Sequence, residues 1–289
     1  DNTPGNKTLF SKSVARTLLA KIYAEKPLRD YTKVIQYCDE VKEDGFDLVD
    51  DFSDLFGMNA AGTDAKMRNT KESILEAQFT SGAGNWCTWM FGRDLVNWNN
   101  NFTWAKWVTP SRDLISAFKQ EGDEVRFKES IVYYDCNWSN YYPSDNYPFM
   151  YKCRSANSSI IKYRYADVLL LKAEALIMQD TPDLEGAADI IDEVRDRAKL
   201  GALPTSVRSN KNVLLNALLK ERRLELAFEG QRWFDLVRLD KVEEVMNAVY
   251  AKDSGRKAQI YTFDKNSYRL PIPQSVIDAN DKIHQNPGY

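Results

Sequence analysis

Apolar residues recur every three or four positions along much of this chain, which is the spacing of one face of an α-helix. The pattern predicts a helix over residues 9–25 and a second over residues 31–43. Pro27 lies between them and Gly45 follows the second, and both residue types commonly end helices. The first part of the chain is therefore predicted to form a helical hairpin.

Helical spacing returns in the second half of the chain. We predict one helix over residues 160–178, a second from near Thr181 to near Gly201, and a later helix over residues 242–250. A last short helix is predicted over residues 273–279, before an irregular tail. These elements make the second half of the chain predominantly helical.

The stretch 219–240 is the predicted centre of the fold. It is rich in helix-forming residues, and its large apolar side chains recur at helical spacing beside many charged ones. Opposite charges lie three residues apart, where they can meet on a helix surface: Arg222 and Glu225, Glu229 and Arg232, Asp235 and Arg238. We predict that this stretch is buried on several sides with its charges paired, and that Gly230 marks a kink or a junction of two helices. The alternative is an ordinary amphipathic surface helix.

Two segments of the chain resemble each other. Residues 18–41 align without a gap with residues 171–194, so that small or apolar positions of one helix pair recur in the other. The matched positions are Ala20 and Ala173, Tyr23 and Leu176, Val34 and Ala187, and Cys38 and Ile191. Closely packed tetratricopeptide-like helix pairs have this character. Chance similarity between amphipathic hairpins is the alternative.

Between the two helical regions the pattern is irregular. It predicts a short helix over residues 50–56 and strands over residues 73–79 and 131–134. A helix is predicted to open at Thr109-Pro110, with the threonine as N-cap and the proline in the first helical position. The rest of this region is predicted to form loops, among them residues 81–108 and 137–148.

Aromatic residues are concentrated in those two loops. Five of the seven tryptophans lie within residues 81–108, and asparagines surround Trp98. An aromatic face can cover the apolar C–H face of a sugar ring, while amides, hydroxyls and charged groups bind its rim. We therefore hypothesise a glycan-binding surface formed by some of Trp86, Trp89, Trp98, Trp104, Trp138, Tyr141 and Tyr142. The alternative is that these side chains pack the loops onto the helices.

Composition excludes several other classes of function. A net charge of −3 implies no broad basic surface for nucleic acid. The single histidine, His284, disfavours a His-based catalytic or metal site, and no catalytic or metal-binding motif is present, so we predict no catalytic residues, metal or cofactor. No stretch has the apolar length that spans a bilayer. The four cysteines are far apart and form no CxxC motif, so free thiols are favoured over one possible disulfide.

Four motifs then give a more specific indication. They are ERRLELAFEGQRWFDL at residues 221–236, YRYADVLLLKAEA at residues 163–175, IDEVRDRA at residues 191–198, and the closing pair LPIP and QNPGY at residues 270–273 and 285–289. In sequence and order they resemble the SusD/RagB family of outer-membrane nutrient-binding lipoproteins. The resemblance extends over essentially the whole chain, but it lacks the family's N-terminal portion.

The resemblance implies a mainly α, SusD-like fold, in which tetratricopeptide-like helix pairs carry irregular aromatic loops and a few short strands. We expect one domain over residues 1–289. Its expected parts are a helix pair at 9–44, an aromatic loop insertion at 50–158, a helical scaffold at 159–250 and a C-terminal tail at 251–289.

The resemblance also implies a function without catalysis. A protein of this family would capture an oligosaccharide or another nutrient at the cell surface and deliver it to a SusC-like TonB-dependent transporter. It would contact the outer membrane only through a lipid anchor that this chain lacks. The alternative is a tetratricopeptide-like protein-interaction scaffold with no glycan ligand, and a polysaccharide hydrolase is the least favoured possibility.

Overall fold

A computed structural model describes residues 5–80, 108–137, 139–252 and 262–289. Within these ranges the fold is mainly α, as predicted. The helices are α1 Lys12–Ala24, α2 Tyr31–Glu43, α3 Ser53–Phe56, α4 Arg112–Glu121, α5 Glu124–Ser130, α6 Tyr165–Met178, α7 Leu184–Arg197, α8 Thr205–Arg208, α9 Lys211–Glu225, α10 Arg232–Arg238, α11 Val242–Lys252 and α12 Gln274–Asp278. The strands are β1 Ser73–Ala77, β2 Ile131–Tyr134, β3 Tyr147–Met150 and β4 Ile160–Arg164. Among the described helices, none combines the length and hydropathy needed to cross a membrane.

The chain divides into two compact units, Asp1–Gln231 and Arg232–Tyr289. The first unit contains the two helix pairs whose sequences resemble each other. Helix α1 packs along α2, α6 packs along α7, and α2 packs against α6, so the two hairpins form one layered core. These contacts confirm the predicted helix-pair scaffold.

The small residues of the repeat lie where the helices meet. Ala20 and Ala173, which occupy equivalent positions of the repeat, are both fully buried. Ala187 and Ile191 of the second pair are fully buried as well. Small side chains allow two helices to approach closely, and larger ones there would overpack a dense interior. Close packing between helices therefore explains why small residues recur in the sequence repeat.

Helix α9 lies at the centre of the first unit, against α4, α6, α7 and α8. Its Leu214, Leu218 and Leu224 are fully buried. The predicted junction is also present, because α9 ends at Glu225 and the left-handed backbone angles of Phe228 (φ 66°) and Gly230 (φ 78°) turn the chain. Residues 219–225 therefore belong to a buried central helix, whereas Phe234 of the same predicted stretch is 63% exposed.

Two short antiparallel sheets complete the first unit, and they correct one helix prediction. Strand β1 pairs with β4, and Ser73 lies opposite Arg164. Residues 160–164 are therefore strand, and the helix predicted from residue 160 begins only at Tyr165. The prediction failed because β1, which supplies the hydrogen-bonding partner, lies about 90 residues away in sequence, beyond the reach of local periodicity.

The second sheet pairs β2 with β3, and Tyr134 lies opposite Tyr147. Strand β2 has the bounds that the sequence predicts. The segment from Tyr147 was predicted to belong to an irregular loop, which is wrong. Two prolines and several aromatic residues hid the strand pattern in this sequence. Pairing with β2 nevertheless holds the segment in an extended conformation.

Helix α4 starts later than predicted. Ser111 is its N-cap, and the Ser111 hydroxyl accepts a hydrogen bond of 3.1 Å from the backbone N–H of Leu114. Thr109, the predicted cap, instead contacts the hydroxyl of Tyr147 at 3.2 Å. Ser111, two residues after the predicted cap, therefore sets the start of α4.

The second unit contains α10, α11, a 3-10 turn over Lys265–Tyr268, and α12. Its two closing motif segments bind each other. The side chain of Gln285 accepts a hydrogen bond from the backbone N–H of Ile272 and donates one to the carbonyl of the same residue, at 2.8 and 2.9 Å. The Asn286 amide donates to the carbonyl of Leu270 at 2.7 Å. The two segments of the fourth motif therefore hold each other in place by hydrogen bonds within this unit.

Candidate functional site

The charged residues of the first three motifs meet in the interior of the first unit. We call this group the buried ion network. Its five carboxylates and five cations are Glu72, Asp123, Glu221, Glu225 and Glu229 with Arg126, Lys152, Arg164, Arg195 and Arg197. Each of these five carboxylates binds at least one of these cations, as a low-dielectric interior requires of buried charges.

Glu225 is the centre of this network. Its side chain is fully buried and accepts hydrogen bonds from Arg126 at 3.0 Å, from Arg164 and from Arg197. Burial alone would raise the pKa of the Glu225 carboxyl, but the three guanidinium groups hold it well below its usual range. Glu225 is therefore ionised and joins α9 to β4, α5 and α7.

Asp167 forms a second buried centre on α6. It accepts hydrogen bonds from Lys21 of α1 at 2.6 Å and from Arg222 of α9 at 2.8 Å. Burial opposes ionisation, yet the two cations lower the pKa of Asp167 far below its usual range. The motif residues of α6 and α9 thus connect the two hairpins to the central helix.

This geometry assigns the motifs a structural role. Their charged side chains bind one another, mostly in the interior, so they hold the helices in register. A ligand-binding surface has to be sought among the groups that the scaffold leaves at the surface.

Tyr141 and Tyr142 lie on such a surface. Both rings are partly exposed and meet edge to face, with centroids 4.9 Å apart. The guanidinium carbon of Arg112 lies 4.0 Å from the centroid of the Tyr141 ring and 4.8 Å from that of Tyr142. Arg112 also donates to the carbonyl of Tyr141. We call these three residues the tyrosine surface.

The tyrosine surface is held firmly by its neighbours. The hydroxyl of Tyr142 donates to the carbonyl of Pro110 at 2.7 Å, and its ring meets Tyr147 of β3 edge to face. The loop that carries both tyrosines is closed at its base by a hydrogen bond from the Cys136 N–H to the Ser144 carbonyl, 2.6 Å long. Such preorganisation lowers the conformational cost of binding.

Two cavities adjoin Tyr142. The first, which we call the α4 pocket, has a volume of about 440 Å³ and lies between α4, Tyr133 and residues 142–146. The second, the amide cavity, has a volume of about 900 Å³ and is lined by Asn137, Asn140 and neighbouring hydroxyl groups. Volumes of several hundred Å³ suit small ligands. An aromatic face between two cavities that carry polar groups is a chemically suitable surface for a saccharide.

A third cavity lies elsewhere in the first unit. This apolar cleft has a volume of about 540 Å³ and is lined mainly by apolar side chains, including Phe56, Ile160 and Phe228. Lys152 lies at its wall and donates to Glu229 at 2.6 Å, and burial lowers the pKa of Lys152 to about 8. Its walls are more apolar than those of the cavities beside Tyr142, and its polar lining residues include Lys162 and Gln231.

Of the predicted glycan-binding residues, the structure describes Tyr141 and Tyr142 and places them side by side. The predicted tryptophans lie outside the described residues: Trp86, Trp89, Trp98, Trp104 and Trp138. Sequence reasoning missed Arg112 and Tyr133. Arg112 precedes Tyr141 by 29 residues, and only the fold brings the two together.

Within residues 5–80, 108–137, 139–252 and 262–289, no cluster of three or more His, Cys, Asp or Glu side chains is arranged to hold a metal ion. Cys38 and Cys136 are buried free thiols, and burial raises the pKa of Cys38.

Comparison with known proteins gives a consistent result. The sequence model of the SusD family matches residues 142–289. Over 99 residues the chain is 43% identical to SusD-like protein P38 of Formosa agariphila, and over 143 residues it is 36% identical to SusD-like protein P2 of the same organism. These matches cover 32% and 47% of this chain but only 19% and 27% of the two relatives.

The fold is also similar to solved structures. Surface glycan-binding protein A from Bacteroides thetaiotaomicron, in complex with laminarihexaose, superposes with a TM-score of 0.74 at 20% identity. The match covers 97% of this chain and 65% of that protein. The chain therefore spans a little under two thirds of a protein with the same fold.

Proposed function

The chain belongs to the SusD family, and from this membership we propose that it binds oligosaccharides at the cell surface without cleaving them. The observation that carries the proposal is the tyrosine surface, an aromatic face between two cavities that carry polar groups. The laminarihexaose complex of a protein with the same fold supports a saccharide as the ligand.

In the proposed mode of binding, a sugar ring lies over exposed aromatic surface and its hydroxyls meet the polar groups at the rim. Tyr141 and Tyr142 supply the aromatic surface among the described residues. Asn137 and Asn140 are exposed and supply amide donors and acceptors. We extend the proposal to the aromatic loops, where Trp86, Trp89, Trp98, Trp104 and Trp138 would add further rings. Binding and release need no bond to break.

Isothermal titration calorimetry against a panel of neutral and acidic oligosaccharides tests this function. We expect at least one to bind, and Tyr141→Ala to weaken it about tenfold, because an aromatic contact at a binding surface commonly contributes that much. Tyr37→Ala is the matched control, since Tyr37 is also half-buried and stacked, but on Tyr23 of the helical hairpin. The single variants Trp98→Ala and Trp138→Ala test whether the aromatic loops contribute to binding.

Two results would contradict the proposal. A folded chain that binds no oligosaccharide of the panel would favour the protein-interaction scaffold. Sugar fragments released during long incubation would favour a hydrolase.

We further propose that the protein acts at the outer membrane, tethered by a lipid, and hands its cargo to a SusC-like TonB-dependent transporter. Family membership supports this partner. Immunoprecipitation from detergent-solubilised outer membranes, with antibodies against this chain, should recover a TonB-dependent transporter in about equal amount. Recovery of the protein from the soluble fraction, with no such transporter, would contradict the proposal.

A further inference from the structure

A fourth cavity lies on the opposite face of β2 from the α4 pocket. It has a volume of about 470 Å³ and is lined by Glu129, Tyr134, Tyr151, Arg154 and residues of the loop 57–66. Successive residues of a strand point to opposite faces, and Tyr133 lines the α4 pocket whereas Tyr134 lines this cavity. Among the described residues it shares no lining residue with either cavity beside Tyr142. We call it the ion-pair pocket.

A buried ion pair forms one wall of this pocket. Glu129 is 8% exposed and Arg154 is 5% exposed. The Arg154 Nη2 donates to Oε2 of Glu129 at 2.8 Å and to the carbonyl of the same residue at 3.0 Å. The Arg154 Nε donates to the carbonyl of Tyr151 at 2.9 Å, and the guanidinium carbon lies 3.7 Å from the centroid of the Tyr151 ring. These contacts hold both charged groups in one geometry.

Each member of the pair keeps one polar group for a ligand. Within the described part of the chain, Nη1 of Arg154 donates to no acceptor and Oε1 of Glu129 accepts from no donor. A guanidinium group only donates and a carboxylate only accepts, whereas a hydroxyl group does both. A ligand hydroxyl between the two side chains therefore satisfies both of them.

The charges of the pocket are balanced by their neighbours. Lys66 is the third charged residue of the described lining, and it pairs with Asp51 at 3.0 Å and with Asp54 at 2.7 Å. Its third donor binds the hydroxyl of Ser53 at 2.6 Å. An anion in the pocket would meet the carboxylate of Glu129, and a cation would meet the Arg154 guanidinium. The pocket therefore favours a neutral, hydroxylated ligand.

The remaining walls suit a sugar ring. The partly exposed rings of Tyr134 and Tyr151 supply aromatic surface. Burial raises the pKa of the Tyr134 hydroxyl, so that it stays neutral. Lys66 fastens the loop to α3, and a bridge between Met58 and Ala65 closes it. Such preorganisation lowers the conformational cost of binding.

From this arrangement we propose that the ion-pair pocket is a second saccharide site, which binds a neutral sugar residue through two adjacent free hydroxyls. One hydroxyl donates to Oε1 of Glu129 and accepts from Nη1 of Arg154, and its neighbour binds the hydroxyl of Tyr151. The inference rests on the proposed glycan-binding function and specifies a ligand class. Because the ligand is neutral, its affinity should change little with salt concentration.

Isothermal titration calorimetry with neutral hexasaccharides tests the ligand class. The internal residues of cellohexaose, mannohexaose and xylohexaose carry two adjacent free hydroxyls, whereas those of laminarihexaose do not. We expect at least one of the first three to bind, and its affinity to depend on the ion-pair pocket. The affinity for laminarihexaose, if it binds, should be nearly independent of this pocket.

Two substitutions with matched controls locate the site. Tyr151→Phe keeps the ring beneath Arg154, removes only the hydroxyl, and should weaken binding about fivefold, as expected for one neutral hydrogen bond. Tyr37→Phe makes the same change on the helical hairpin and should have no effect. Ala60→Leu narrows the pocket and should weaken binding at least as much. Ala61→Leu, at an exposed neighbour outside the described lining, should leave binding unchanged.

The outcomes separate this inference from the proposed function. If Tyr151→Phe and Ala60→Leu behave like their controls, the saccharide binds elsewhere and the ion-pair pocket is not a site. Binding of laminarihexaose alone, or equal losses for all four hexasaccharides, would overturn the adjacent-hydroxyl requirement and leave glycan binding intact. A folded chain that binds no oligosaccharide at all would overturn both.

Discussion

Replacing Glu225 with glutamine should lower the free energy of unfolding by about 3–5 kcal/mol, because it leaves buried guanidinium groups without their shared counter-charge. Arg126, Arg164 and Arg197 all bind this carboxylate in the interior. Glutamine keeps the shape of the side chain, so the decrease in unfolding free energy measures the missing charge and not a cavity. Urea denaturation monitored by circular dichroism measures the change.

Glu185→Gln is the matched control. Its side chain is 72% exposed and pairs with Arg208 at the surface. Exposed pairs contribute at most about 1 kcal/mol, so this variant should unfold nearly as the original chain does. Similar losses in the two variants would show that the Glu225 cluster does not hold the scaffold together.

Asp167→Asn should be comparably destabilising at neutral pH, by about 3 kcal/mol or more, because Lys21 and Arg222 lose their buried partner. The loss should depend on pH. The pKa of Asp167 is lower in the folded state than in the unfolded chain, where it is about 3.9. Its stabilisation is therefore complete above that value and is lost as the pH falls below it.

Urea titrations at pH 7, 5 and 3.5 measure this dependence. The difference in unfolding free energy between the original chain and Asp167→Asn should be constant from pH 7 to 5 and begin to shrink at pH 3.5. Asp50→Asn, at a side chain that is 98% exposed, should have little effect at any of these pH values. A difference that stays constant or grows in acid would mean that Asp167 is not held ionised by its two partners.

Much of the scaffold could be predicted from the sequence because its signals are local. Periodicity located α2 and β2 with their observed bounds, and the gap-free repeat identified the two hairpins that pack together. The predicted ion pairs within the central stretch were only partly right. Asp235 does bind Arg238, whereas Glu225 and Glu229 bind cations from distant elements, which helical spacing cannot reveal.

The candidate site was less predictable, because its residues come from elements that are distant in sequence. The sequence marked Tyr141 and Tyr142 by their aromatic, asparagine-rich surroundings. Arg112 became part of the surface only because Ser111 caps α4 beside the loop and β2 pairs with β3. A site assembled from separate loops depends on tertiary contacts. Local composition identifies only those of its residues that lie in an unusual stretch of sequence, such as Tyr141 and Tyr142.

The most direct test of binding at the tyrosine surface is hydrogen–deuterium exchange, measured with and without the best-binding saccharide of the panel. Ligand contact should slow exchange in residues 135–147 and in α4, and leave the core helices α6 and α7 unchanged. Protection confined to the apolar cleft, in residues 159–162 and 228–231, would contradict the assignment of the ligand to Tyr141 and Tyr142.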